Sequence, residues 1–75
     1  MVRGLMLIKA PAAQALKIAE EARKIEGVTD AYGVFGRFDA VVFIEGKSFH
    51  DLKDVARKVA SLEGVKSTET LPQGD

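Results

Sequence analysis

Seventy-five residues make one domain, and a chain this short buries only about 60–65% of the surface its unfolded form would expose. There is no cysteine, which excludes a disulfide, a thiolate nucleophile and a cysteine-based zinc or iron–sulfur site. Eleven basic and eleven acidic residues cancel, and the tightest basic cluster is Arg57-Lys58, so the broad positive footprint of a nucleic-acid binder is missing. The first apolar run is too short for a signal-peptide core or a membrane span. A soluble cytoplasmic protein without membrane contact is expected, and small domains without staples often gain stability by oligomerising.

In chain order, Leu5-Met6-Leu7-Ile8 reads as a strand that stops at Lys9-Ala10-Pro11. Proline suits the first turn of a helix. Residues 12–25 then place Ala12, Ala15, Leu16, Ala19, Ala22 and Ile25 at helical spacing, opposite Lys17, Glu20, Glu21 and Lys24. Glu20 and Lys24 are four apart in the favourable order. Gly27 ends this helix. A second strand covers 28–35, with Gly33 weakening it or marking a bulge. Gly36-Arg37-Phe38-Asp39 is a tight polar turn, and 40–44 is a third strand. Ser48 is a good helix cap, and Asp51 is placed to answer it. The second helix spans 49–62, with Phe49, Leu52, Val55, Ala56, Val59 and Leu62 as its stripe. Gly64 ends it, 65–71 is the last strand, and 72–75 is a frayed tail. KIEGV at 24–28 answers SLEGV at 61–65, a faint internal repeat at two helix ends. Two strand–helix–strand units joined by a hairpin predict an α+β, ferredoxin-like βαββαβ fold: a four-stranded antiparallel sheet with both helices on one face.

The central strands carry apolar residues on both sides. Leu5 and Leu7 oppose Met6 and Ile8; Val41 and Phe43 oppose Val42 and Ile44. Two helices cover one face, and a free antiparallel face should alternate polar with apolar. A contiguous apolar patch marks an interface. The simplest cover is a second sheet packed face to face in a two-fold dimer. The alternatives are a monomer that tolerates the patch and a different covering protein. We assign the dimer face to Met6, Ile8, Tyr32, Val34, Val42 and Ile44, although periodicity does not say which apolar face the helices take.

Little points to chemistry. His50, the single histidine, begins a helix and reads as a surface residue. No histidine–carboxylate constellation suits a metal, Asp51 and Asp54 read as solvated helix surface, and GVFGRFD lacks the context of a phosphate loop. No catalytic residue, metal or cofactor is therefore assigned. Gly36 suits a positive φ. Asp39 either accepts turn amide hydrogens or lines a small polar pocket for a ligand ammonium. Arg37 is a solvated turn residue or a bridge between subunits, and Phe38 at a turn suggests burial against a neighbour or a ligand. Thr68 and Thr70 share a side of the last strand, either as strand formers or as hydroxyl donors to a ligand. Tyr32 reads as interface packing whose hydroxyl needs a partner.

Three stretches together resemble a known family: IEGVTDAYGVFG at 25–36, GRFDAVV at 36–42 and LEGVKSTETL at 62–71. Their order and spacing are similar to the effector-binding (RAM) domain of the Lrp/AsnC transcriptional regulators, over about residues 2–71. The resemblance implies a non-enzymatic module that binds an amino acid and modulates transcription. It implies a homodimer joined through its sheets, described as a dimeric α/β barrel, and rings of four or five such dimers. Amino acids would bind in clefts between dimers near the hairpin. Gly36 and Asp39 match the family's motif glycine and aspartate, Arg37 and Phe38 fill the variable positions, and Thr68 and Thr70 match more loosely. Such regulators usually carry an N-terminal helix-turn-helix domain. Here the first strand begins near Met1, so a stand-alone module without direct DNA binding is expected, acting through full-length relatives or by binding an amino acid alone. The alternatives are a small ferredoxin-like enzyme with an apolar pocket inside each monomer, a sensor of the ACT type paired through its edges, and a purely structural assembly protein.

Overall fold

The first strand, β1, runs Val2–Lys9, longer at both ends than its apolar run, because pairing on both sides holds its polar ends in the sheet. The computed structural model describes residues 1–73. After Pro11 a 3-10 turn, Ala12–Gln14, leads into helix α1, Ala15–Arg23. Then come β2 at Val28–Gly33, β3 at Ala40–Gly46, α2 at Phe49–Ala60 and β4 at Ser67–Gln73. The sheet order is β2-β3-β1-β4, all antiparallel, with β1 and β3 central as expected. The fold is ferredoxin-like βαββαβ. The sheet is open, with β2 and β4 as free edges, so the α/β barrel expected from the resemblance is not formed. Pro72 and Gln73 pair with Gly4 and Arg3, so the strand extends two residues into the expected tail; residues 74 and 75 of that tail lie outside the described residues.

Local signals explain the elements. Ser48 Oγ accepts the Asp51 amide at 3.2 Å and starts α2. At the other end of each helix, Gly27 (φ +100°) and Gly64 (φ +96°) occupy matching turns, closed by Val28 N–H to Ile25 C=O and Val65 N–H to Leu62 C=O. These are the two glycines of the internal repeat, and their contacts cross. A Cβ on Gly27 would overlap Val55 Cγ2 of α2; one on Gly64 would meet Gln14 at 2.5 Å and Ile18 of α1 at 3.5 Å. The bulge falls at 28–30, where Val28 pairs with Ile44 and Asp30 with Phe43, rather than at Gly33. It turns Val28 toward the helices and Asp30 away from them, although strict alternation would put both on one side of β2. Lys24 pairs with Glu21 at 3.1 Å rather than with Glu20, on the solvent surface where such a pair contributes little.

The helix-side face of the sheet is the one built from Met6, Ile8, Ala31, Val42 and Ile44, each at most 1% exposed. Ile18, Ala19 and Ala22 of α1 and Leu52, Val55 and Val59 of α2 close over them. Four residues assigned to the dimer face, Met6, Ile8, Val42 and Ile44, therefore lie in the core of the protomer, and Val34 sits half-buried in the hairpin loop beyond β2. The open face is the alternate set. Leu5, Leu7 and Val41 are half-buried there, and Tyr32, Phe43 and Leu71 are exposed. Only Tyr32 of the assigned six stands on it. Helix α1 lies over β2 and β3, and α2 over β3 and β1, which leaves the helix side of β4 almost bare.

The glycine contacts give a first prediction. Gly27→Ala combines a disfavoured φ with a clash against Val55 and should lower the unfolding free energy by about 2–4 kcal/mol. Gly36→Ala, at φ +130° with nothing within 4 Å, should cost only about 1–2 kcal/mol of backbone strain. Urea denaturation of both variants checks the difference, and equal losses would refute it.

Candidate functional site

The connection between β2 and β3 is a loop over residues 34–39. It is closed by Val34 N–H to Asp39 C=O at 3.0 Å. Asp39 does more than turn the chain. Its amide donates to Ile8 C=O at 2.8 Å, and its carboxylate Oδ2 accepts the Ala10 amide at 3.0 Å. That amide belongs to the last residue before Pro11, where β1 has left the ladder and has no strand partner to accept it. The structural role of Asp39 is thus to fasten the hairpin to the end of β1, not to satisfy amides of its own turn. Gly36 takes the positive φ expected of it, in open space. Arg37 is exposed and Phe38 half-buried. Phe35 is fully exposed at 104% of its reference surface, an apolar side chain at the loop tip that the sequence reading placed in β2.

Thr68 and Thr70 lie elsewhere. Ile8 of β1 pairs with Ala40 on one side and Thr68 on the other, so Thr68 is two strand spacings, roughly 10 Å, from the hairpin base. Both threonines face the helix side, where they line an open groove of about 440 Å³ between β4 and α2. Residues 36–39 do not line it. Within one protomer the structure brings Gly36, Arg37, Phe38 and Asp39 together, and Thr68 with Thr70, but it does not join the two sets.

Three features escaped the sequence reading. Arg23 reaches from α1 to donate to Ala31 C=O from Nε at 3.1 Å and Nη2 at 2.6 Å, occupying a carbonyl on the β2 edge. Lys53, and Arg57 of the Arg57-Lys58 cluster, help line the groove beside the threonines. On the open face, Tyr32 donates its hydroxyl to Asp30, whose other oxygen accepts the Ala31 amide at 2.9 Å. Tyr32 also meets Phe43 edge to face, with ring centres 6.2 Å apart. Alternation along β2 would have put Asp30 and Tyr32 side by side; the partner that the tyrosine hydroxyl needs is two residues away. The hydrogen bond from Tyr32, then that from Ala31, holds the Asp30 carboxyl below the usual aspartate range. The hydrogen bond to Asp30 and its negative charge raise the Tyr32 phenol above its usual value. His50 is exposed, 3.8 Å from Asp54, and no group of three or more histidine and carboxylate side chains suited to a metal occurs among the described residues.

Two predictions follow from these bonds. Asp39→Ala removes the acceptor for Ala10 and should cost about 1–2 kcal/mol while speeding hydrogen exchange at the Ala10 amide; unchanged exchange there would refute the fastening role. For the exposed pair, the signs are opposite. The lowered Asp30 value adds stability above the ordinary aspartate range, lost as pH falls through it; the raised Tyr32 value adds stability that is lost as pH rises through it. Tyr32 is the sole tyrosine and there is no tryptophan, so its phenolate absorbance is a clean probe. Asp30→Asn should bring that titration down toward the ordinary tyrosine value, and an unmoved titration would refute the pairing.

Known proteins give the arrangement a lineage. The family model described as the Lrp/AsnC ligand binding domain matches residues 5–72. The HTH-type transcriptional regulator FL11 of Pyrococcus furiosus is 30% identical over 70 residues, covering 93% of this chain and 46% of its own length. The chain therefore spans about half the length of that curated relative. TTHA0845 from Thermus thermophilus is 30% identical with a TM-score of 0.90, and the match covers all of this chain and 95% of that one. The siroheme decarboxylase NirDL superposes with a TM-score of 0.87 at 13% identity, covering 100% of this chain and 26% of that one, a likeness of fold alone. By the match of the family model to residues 5–72 and of two relatives at 30% identity, this chain belongs to the Lrp/AsnC ligand-binding-domain family.

Proposed function

We propose that the chain is an amino-acid-binding and oligomerisation module of the cytoplasm that modulates transcription through the partners it assembles with. The observation that carries this reading is the open sheet face. Leu5, Leu7, Val41, Phe43, Tyr32 and Leu71 form a continuous apolar surface, rimmed by Arg3, Glu45 and Glu69, on a sheet whose other face is already filled. A second sheet laid on it excludes water from those six side chains and leaves the charges at the rim. Each fully buried aliphatic or aromatic side chain contributes about 1.5–3 kcal/mol. In this reading the dimers associate further into tetramers or pentamers of dimers.

The effector would then sit between dimers, at the exposed hairpin of Gly36, Arg37, Phe38 and Asp39. Thr68 and Thr70 would reach it from a neighbouring subunit, since within one protomer they face α2. The space between sheet and helices supports this against an enzyme with an enclosed pocket. Met6, Ile8, Ile18, Val42, Ile44 and Val59, each under 2% exposed, fill it.

Two adjacent residues test the assembly. Phe43→Asp should give a folded monomer by light scattering and circular dichroism, because its side chain stands on the open face. Val42→Asp should unfold the chain, because it places a carboxylate in the core. A Phe43→Asp variant that still dimerises would refute the sheet-to-sheet contact. Calorimetric titration of the native assembly with the proteinogenic amino acids tests the ligand, with binding by at least one expected; binding by none of them would rule out this ligand class.

A further inference from the structure

An edge strand presents a row of unpaired N–H and C=O groups to any other strand that meets it. On β2 that row can be read from the pairing. Val34 N–H bonds Asp39 C=O while Gly33 stands opposite Ala40, so Gly33 and Ala31, two positions back, turn their own N–H and C=O away from β3. Farther back, the bulge at 28–30 breaks the regular spacing that a docking strand needs. Ala31 is therefore the centre of the free edge, yet it is 0% exposed. Side chains hold both of its backbone groups. Asp30 Oδ1 accepts its amide at 2.9 Å, and Arg23 donates to its carbonyl from Nε at 3.1 Å and Nη2 at 2.6 Å. The Tyr32 hydroxyl bonds the other oxygen of Asp30 and steadies that carboxylate. Arg23 comes from the last turn of α1, so its guanidinium crosses from the helix layer to the rim of the sheet. The opposite edge, β4, has a different device: Pro72 has no N–H to offer.

We propose that Arg23 and Asp30 together close the β2 edge to strand addition by a second copy of this chain. Two copies meeting edge to edge about Ala31 would each need that amide and that carbonyl for the bonds of an antiparallel pair. Both are already engaged, and a docking strand would have to displace a charged group from each. Packing of α1 needs only the aliphatic stem of Arg23. Closure needs both head groups on one residue, and that is the arrangement found. It is independent of the sheet-to-sheet dimer and of any ligand.

The test is the Arg23→Met, Asp30→Ala double variant, made alone and with Phe43→Asp, and followed by analytical ultracentrifugation, circular dichroism and amide exchange. The double variant should keep the fold. At low protein concentration its Ala31 amide should exchange about tenfold faster than in the parent, the loss of one net hydrogen bond. As concentration rises, the variant should gain an association step that the parent lacks. The Ala31 amide should then slow again, and isotope-filtered NOEs should join β2 of one copy to β2 of the next. With Phe43→Asp present, that step should read as monomer to dimer. If Phe43→Asp leaves the face dimer intact, it should read as association of dimers, so failure of the sheet-to-sheet contact and failure of the edge closure are told apart. Should the double variant unfold, Arg23→Met alone, a change at an exposed position, carries the same association readout. A folded variant that assembles as its parent does at every concentration, an unmoved Ala31 exchange, or new contacts at β4 in place of β2 would each overturn the proposal. So would NOEs between β2 strands in the unaltered chain.

Discussion

One shortage governs this molecule: two helices and a sheet with two apolar faces. The helices take the face of Met6, Ile8, Val42 and Ile44, and the face of Leu5, Leu7, Val41 and Phe43 is left without cover from its own chain. The choice between the faces is physical. The helix side carries Gly4, Ala31 and Ala40, positions small enough for helices to approach closely; a Cβ on Gly4 would already touch Ile44 and Leu52 at 3.4 Å. The other side carries the bulky rings of Tyr32 and Phe43. It also ends in charges, Arg3 and Lys9 on β1 and Glu45 on β3.

That pattern was legible in the sequence and was misread. Alternation showed that both faces were apolar and that two helices could cover only one of them. It also put Arg3 and Lys9 in phase with Leu5 and Leu7, and a charge does not belong under a helix. Read to its ends, the strand would have shown which face stays open. The other elements were legible for ordinary reasons: Ser48 as a cap, Gly27 and Gly64 as helix stops, the order of strands and helices. The bulge at 28–30 was not, because nothing in Val28-Thr29-Asp30 announces a shift of pairing that depends on β3.

The site was less legible than the fold. Gly36 and Asp39 stood out as turn residues, and the bond from Ala10 to Asp39 shows why the aspartate suits this position even before a ligand is considered. That bond joins residues 29 apart, and no local spacing could have disclosed it. The separation of Thr68 and Thr70 from the hairpin follows from topology: β1 lies between them. The groove beside those threonines has the same origin as the open face. Two helices that sit over three strands leave the fourth unroofed.

The crossed glycine contacts bear on how the molecule opens. Each turn of the internal repeat is closed against the helix of the other half, Gly27 against Val55 and Gly64 against Gln14 and Ile18. Neither half owns a complete interior. Loosening either turn strips the opposite helix of its packing, so excursions from the native state engage the whole domain instead of shedding one half at a time. The two similar turns thus belong to a single cooperative body, and a substitution in either half must fit the surface of the other.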